Sequence, residues 1–204
     1  MVKEYNVVIA SVGGQGGVTL TKVIGYAALS KGENVRIGET LGMAQRGGSV
    51  QSHVRVGSDV YGPMISKGAA DALIALEPSE ALRVADYLSS RTLVILNTEP
   101  IYPIPVILGE EKYPAITDIT QSLSTLGCKV YLIDTKTLAE EAKAQPAQNI
   151  VALGALIAID DSVLTIKSVR SALSESLNKR FLEMNLRALQ AGYNYASLLS
   201  PART

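Results

Sequence analysis

A chain of 204 residues is long enough to bury one self-sufficient core, and its single cysteine, Cys128, excludes an internal disulfide framework, a cysteine-ligated iron–sulfur cluster or a Cys-rich zinc site built by this chain alone. Lys+Arg and Asp+Glu both total 19, so no global field of either sign gathers nucleic acid or anionic lipid. No apolar run approaches the roughly 18 residues that span a bilayer. Met1 to Asn6 also lacks a basic region followed by an apolar core, so no membrane association and a cytoplasmic location are expected.

In chain order, Val7-Val8-Ile9-Ala10 reads as a short buried strand broken by the glycines between 13 and 17. A helix follows, with Leu20, Val23, Ile24, Ala27 and Ala28 on one apolar face and Gly32 placed for a left-handed cap. Val35 to Glu39 starts the next strand. Glycines then punctuate the stretch from Gly42 to Gly68, whose alternation predicts a strand over 49–56, with Val50, Val54 and Val56 on one face and Ser49, Gln51, His53 and Arg55 on the other. Gly57-Ser58-Asp59 supplies turn residues ahead of a return strand near Val60 to Ile65, giving a hairpin.

Ala72 to Leu76 is an apolar strand, Pro78 opens a helix to about Ser89, and Thr92 to Asn97 is the next strand. Pro100, Pro103, Pro105 and Pro114 mark residues 98–118 as an extended connection, followed by a short helix near Asp118 to Thr125 and a strand over Lys129 to Ile133. Helical patterns fill about 135–144, 149–159, 164–178 and 181–199. Parallel strands joined by helical crossovers predict one α/β domain over 1–204, a three-layer α/β/α sandwich. Its sheet is mostly parallel with an antiparallel hairpin, and helices close the C-terminus.

Two segments suit ligand binding. Ser11 to Gly17 lies between a strand and a helix, where free N–H groups and the helix dipole favour an anion and Gly13, Gly14, Gly16 and Gly17, around Gln15, let it approach the backbone. Gly14 and Gly16 match the first two glycines of a dinucleotide fingerprint, with Glu39 placed for a ribose, but the third position is Thr19. The plain alternative is a tight turn with no ligand. No Lys-Ser/Thr pair follows, which argues against a nucleoside triphosphatase.

The second segment contains Arg46, Gly47, Gly48 and Ser49 after the second strand, where a doubly wound sheet brings it beside the first loop. Between Gly42 and Gly68 the cations Arg46, Arg55 and Lys67 face Asp59 alone. Arg46 is suited to a bidentate grip on a carboxylate or phosphate, and equally to a surface ion pair with Glu39 or Glu77. His53, the only histidine, reads first as a hydrogen-bonded sheet residue, because no catalytic partner is identifiable. No catalytic set and no metal site stands out. The helical patterns at Ser168, Leu173, Leu177, Leu182, Leu186 and Leu189 read as core, and Tyr26, Tyr61 and Tyr102 are candidate aromatic lining.

The glycine cluster followed by Met43-Ala44-Gln45-Arg46-Gly47-Gly48-Ser49-Val50 and Ser52-His53-Val54-Arg55 resembles the gamma-type domain of 2-oxoacid:ferredoxin oxidoreductases, and the Met-Ala-Gln-Arg form resembles its indolepyruvate branch. The resemblance continues through Ala75-Leu76-Glu77-Pro78, Glu80-Ala81-Leu82-Arg83, Asn149, Leu153-Gly154-Ala155, Phe181, Asn185, Ala188 and Gly192. It implies an enzyme that decarboxylates a 2-oxoacid on thiamine diphosphate, passes electrons through iron–sulfur clusters to ferredoxin and releases an acyl-CoA. This chain lacks the Gly-Asp-Gly thiamine motif, so the resemblance implies that a larger alpha subunit carries the thiamine diphosphate and the clusters and meets ferredoxin. The part left to this chain is to cover the active site and help bind coenzyme A or the oxoacid, with the two loops as the contact residues.

Three other readings stay open: a gamma subunit of a pyruvate or 2-oxoglutarate enzyme, a stand-alone NAD-binding oxidoreductase, and a non-enzymatic partner module. Self-association of the isolated chain as a homodimer is also compatible with the sequence.

Overall fold

The computed structural model of the chain describes residues 2–41 and 47–199. Six strands, β1 (Tyr5–Val12), β2 (Val35–Leu41), β3 (Ser49–Val56), β4 (Ala72–Ala75), β5 (Leu93–Asn97) and β6 (Lys129–Ile133), form one sheet in the order β2-β3-β1-β4-β5-β6. β1, β4, β5 and β6 are parallel, and β3 runs antiparallel to both β1 and β2. All eight residues of β1 are buried, which a strand covered on both faces requires.

Helices cover both faces, as the α/β/α sandwich anticipates. On one side Val7 and Ile9 of β1 meet α1 (Gly17–Leu29), α6 (Gln148–Ile159), α7 (Ile166–Ser176) and α8 (Lys179–Leu199). Leu20, Val23, Ile24, Ala27 and Ala28, the predicted face of α1, are fully buried there. Asn149 through Ala158 of α6 are buried without a break, so that helix is enclosed by the sheet and by α8. On the other side Val8, Ala10, Leu73 and Val94 pack on Ala81 of α2 (Glu80–Arg83) and on Ile119 and Leu123 of α4 (Ile116–Thr125). Leu173 and Leu189 are buried as expected, while Leu177, Leu182 and Leu186 are only partly so.

The antiparallel hairpin exists, but between other strands than the sequence suggests. β3 returns along β2, pairing Val35 with Val56 and Leu41 with Val50, and its second edge is taken by β1. With both edges occupied, no edge remains for a return strand at 60–65. That segment lies instead over the face of β3, where Ile65 N donates to His53 Nδ1 at 3.4 Å and Arg55 donates to the carbonyls of Gly62 and Met64.

The expected helix from Pro78 to Ser89 is also broken. It reduces to α2 and a 3-10 turn at Ala85–Tyr87, because the carbonyls of Asp86 and Tyr87 accept from Gly68 and Ala70 rather than from a continuing helix. The proline-rich connection holds one extra turn, α3 (Ile104–Ile107), before α4. After β6 come α5 (Thr135–Glu141) and a 3-10 turn at Gln145–Ala147, then α6 to α8 close to their expected spans.

His53 is fully buried under the 60–65 segment, edge-on to Tyr87 with ring centroids 4.8 Å apart, and its Nε2 has no hydrogen-bond partner among the described residues. It is a core residue and does not enter the cleft described below. Burial holds its pKa below the ordinary 6.5, so the unfolded chain takes up the proton first. Stability from the neutral imidazole is therefore complete above pH 6.5 and is lost as the pH falls through the folded-state value. Urea unfolding midpoints should drop between pH 7 and pH 5, and His53→Gln should flatten that part of the profile.

Candidate functional site at the carboxyl edge of the sheet

β1 has antiparallel β3 on one side and parallel β4 on the other; the chain goes from β1 to β2 on the first side and later from β3 to β4 on the second, so the connections diverge at the carboxyl end of β1. A cleft of about 340 Å³ lies there. Its walls are Gly13, Gly14 and Gln15 after β1, Gly47 before β3, Leu76 after β4, Ile101, Thr135 at the start of α5, and Gln145, Pro146, Gln148 and Asn149 at the start of α6.

The two predicted loops meet. Gly13 N donates to Gly48 O at 2.8 Å and Gly47 N to Gly13 O at 3.3 Å, locking the segments together through backbone alone. Ser49 turns away from the cleft, its hydroxyl donating to Glu80 Oε2 at 2.5 Å, and Arg83 holds the other oxygen at 3.0 Å. Glu80 thus braces the end of the second loop. Arg46, with Met43, Ala44 and Gln45, lies outside the described residues.

The glycine loop has a built shape. Gln15 folds back, its Oε1 accepting from Val12 N at 2.9 Å and its Nε2 donating to Leu76 O at 2.8 Å. Gly14 and Gly16 have φ of 103° and 79°, a region that other residues enter only with strain. Asn149 donates to Gly16 O at 3.0 Å, and a Cβ on Gly16 would stand 2.6 Å from its Nδ2. Gly17, at the helix start, would place a Cβ 2.7 Å from Ser11 Oγ, so it already provides the tight helix-to-strand packing that Thr19 does not.

Gly14, whose amide makes no hydrogen bond among the described residues, lines the cleft, and α6 opens on it through Gln148 and Asn149. The described lining has no charged side chain. Any attraction for an anion would rest on the Gly14 amide and the α6 terminus, supplemented by neutral donors and acceptors on Thr135, Gln145, Gln148 and Asn149.

The remaining sequence candidates are placed elsewhere. Arg55 sits at the opposite end of the sheet, paired with Glu4 at 2.6 Å, and Lys67 pairs with Asp86. Glu39 accepts from Thr21 at 3.1 Å on the outermost strand. With β3 inserted between β1 and β2, the acidic residue of a dinucleotide site is displaced by one strand, which removes the observation favouring NAD. Tyr26, Tyr61 and Tyr102 are exposed and none lines the cleft.

Asn97 and Glu77 organise the cleft without having been singled out as site residues. Asn97 donates to Leu76 O at 2.9 Å and accepts from Thr135 N and Oγ1 at 3.2 and 2.8 Å, joining the ends of β4, β5 and β6. Glu77, fully buried, accepts from Tyr113 Oη at 2.5 Å and Ile101 N at 3.3 Å on one oxygen, and from Ser79 Oγ at 2.6 Å and Glu80 N at 3.0 Å on the other. The available sequence signal was a polar residue ending each apolar strand. Among the described residues no three His, Cys, Asp or Glu side chains converge as a metal site, and no helix is long and apolar enough to cross a membrane.

A family model, Pyruvate ferredoxin/flavodoxin oxidoreductase, matches residues 6–195. The chain is 44% identical to Indolepyruvate oxidoreductase subunit IorB of Archaeoglobus fulgidus, over 95% of this chain and 96% of that protein. It is 26% identical to the Pyruvate/ketoisovalerate oxidoreductases common subunit gamma of Pyrococcus furiosus, over 89% and 91%. The crystal structure of pyruvate oxidoreductase subunit PORC from Thermotoga maritima shares the fold with a TM-score of 0.72 at 17% identity, covering 94% of this chain and 96% of that one. Matched along nearly its whole length, this chain belongs to the pyruvate ferredoxin/flavodoxin oxidoreductase family.

Proposed function

We propose that the chain is the cluster-free subunit of an indolepyruvate-type 2-oxoacid:ferredoxin oxidoreductase in the cytoplasm, and that its cleft helps to hold coenzyme A. The observation that carries the oxoacid assignment is the identity gradient: 44% to a relative named for indolepyruvate against 26% to one named for pyruvate and ketoisovalerate. The cleft supports the ligand. The free Gly14 amide and the N-terminus of α6 suit a phosphate group, and the amide and hydroxyl side chains suit the neutral pantetheine arm.

Thiamine diphosphate does not fit this cleft, whose described lining offers no carboxylate for the magnesium ion that accompanies a diphosphate. Nor does Cys128 suit a cluster: it is buried and its thiol is pushed up by burial. A larger alpha subunit holds both groups and passes electrons to ferredoxin, and this chain supplies binding contacts and excludes water.

Arg46 directly precedes the cleft-lining Gly47 in the sequence, and it is the residue on which the coenzyme A assignment is tested. Arg46→Ala in the complex reconstituted with its thiamine subunit should raise the KM for coenzyme A about 10-fold with indolepyruvate as substrate, with little change in kcat. Unchanged kinetics would remove coenzyme A from this cleft. Greater activity of the reconstituted complex on pyruvate than on indolepyruvate would overturn the substrate assignment.

A further inference from the structure

Residues 98–115 form a strap beside the cleft with an unusual division of surfaces. Its inner side is pinned. Ile101 N and Tyr113 Oη both donate to the buried Glu77, the rings of Tyr102 and Tyr113 meet edge-on at 5.2 Å, and Asn97 Nδ2 holds Glu99 O at 3.2 Å. Pro100, Pro103 and Pro105 narrow the backbone further. Its outer side is apolar and open to solvent: Ile104 is 72% exposed, Ile107 69% and Leu108 65%, next to exposed Ile101 and Tyr102.

An isoleucine–leucine cluster on a connection fixed from beneath is costly for a chain in water and suits a docking surface, because the ordering cost of binding has already been met in folding. Ile101 belongs both to this cluster and to the cleft wall, so the two surfaces are continuous. The described cleft lining offers no acid or base, and its one hydroxyl, on Thr135, is committed to Asn97, so a chain that performs the chemistry has to reach the cleft from outside. Relatives of 36–44% identity are named as oxidoreductase subunits, and the occupant is the partner subunit that such a name implies.

We infer that the strap face formed by Ile101, Tyr102, Ile104, Ile107 and Leu108 is where the larger, thiamine-bearing subunit docks. The inference rests on the function proposed above and names the surface through which that partner completes the cleft. A second exposed apolar groove, between Tyr26 and Leu29 of α1 and Val35 and Ile37 of β2, shares no lining residue with the cleft and serves as the comparison.

The test is titration of the tagged thiamine subunit with the full chain, comparing wild type, the double variant Ile104→Glu/Ile107→Glu and the groove variant Leu29→Glu. Placing two carboxylates in a desolvated contact should weaken assembly about 100-fold or more, with Leu29→Glu close to wild type. Unfolding midpoints of the isolated variants should match wild type, since all three side chains point into solvent. Wild-type assembly by the double variant, or loss confined to Leu29→Glu, would overturn the docking assignment. Failure of the wild-type chain to bind the thiamine subunit would instead overturn the proposed function. A change only in self-association of the isolated chain, with assembly intact, would assign the strap to a second copy and also overturn the inference.

Discussion

Alanine at Gly192 is expected to destabilise the isolated chain by about 3 kcal/mol or more, and alanine at Gly154 by a similar amount. α6 and α8 approach closely enough for their backbones to touch. A Cβ on Gly192 would stand 1.9 Å from Val151 O and 2.8 Å from Val151 C, and one on Gly154 would stand 2.2 Å from Leu189 O and 2.9 Å from Tyr193 N. These are main-chain atoms, so no rotamer change can relieve the overlap and the helices must move apart.

Such a shift would loosen a helix whose buried side chains, among them Ile150 and Leu153, fill the larger core. For a chain of this length the loss corresponds to a fall of about 6–12 °C in Tm. Gly62→Ala is the control, since nothing lies within 4 Å of its Cβ and its φ is not positive, and it should stay within about 0.5 kcal/mol of wild type. A wild-type midpoint for Gly192→Ala in thermal and urea unfolding would show that the two helices do not pack this closely.

Gly154 and Gly192 also show what kind of information the chain carries openly. Each is visible as a glycine inside a helical pattern, but only the crossing of α6 and α8 explains why a methyl group is excluded there. β1 and α1 were legible because their signals are local: an apolar run, a glycine break and a 3.6-residue apolar face. β3 was legible as a strand but its partners were not, since alternation identifies an extended segment without saying which edge it occupies. The glycine turn at 57–59 points to the following residues, whereas β1 and β2 already fill both edges.

The candidate site divides in the same way. The loops at Gly13 and Gly47 were legible because glycines clustered beside a strand end mark a tight backbone turn, with or without a ligand. Asn97, Thr135 and Gln148 were missed because each belongs to a different element, and nothing in the linear order brings them together. The same distance hid the role of Glu77, which looked like a surface acid available to Arg46. Its carboxylate is instead committed to Tyr113, Ile101, Ser79 and Glu80.

Removing that carboxylate is expected to have the second large effect. Glu77→Ala leaves two backbone N–H groups and two hydroxyls without their acceptor in a buried position, which should cost about 3 kcal/mol. The Tyr113 hydroxyl is driven up, first by burial and then by its bond to Glu77, so it keeps its proton at neutral pH and remains a donor. Glu77→Gln should lose about half as much, because the amide keeps one acceptor oxygen while its NH2 group faces two donors.

The strap is the part released. Without Glu77, Ile101 and Tyr113 lose their common anchor, and the exposed Lys112 beside Tyr113 becomes accessible to a protease. Limited trypsin digestion under native conditions should cut Glu77→Ala at Lys112 several-fold faster than wild type. Tyr113→Phe, which removes one donor and leaves the carboxylate, should fall between the two. On the docking assignment proposed above, assembly with the thiamine subunit should weaken in the same order, since that face needs Ile104 and Ile107 held in place. Faster cleavage with unchanged assembly would separate the anchor from the docking face, because a strap free to move cannot present a fixed surface.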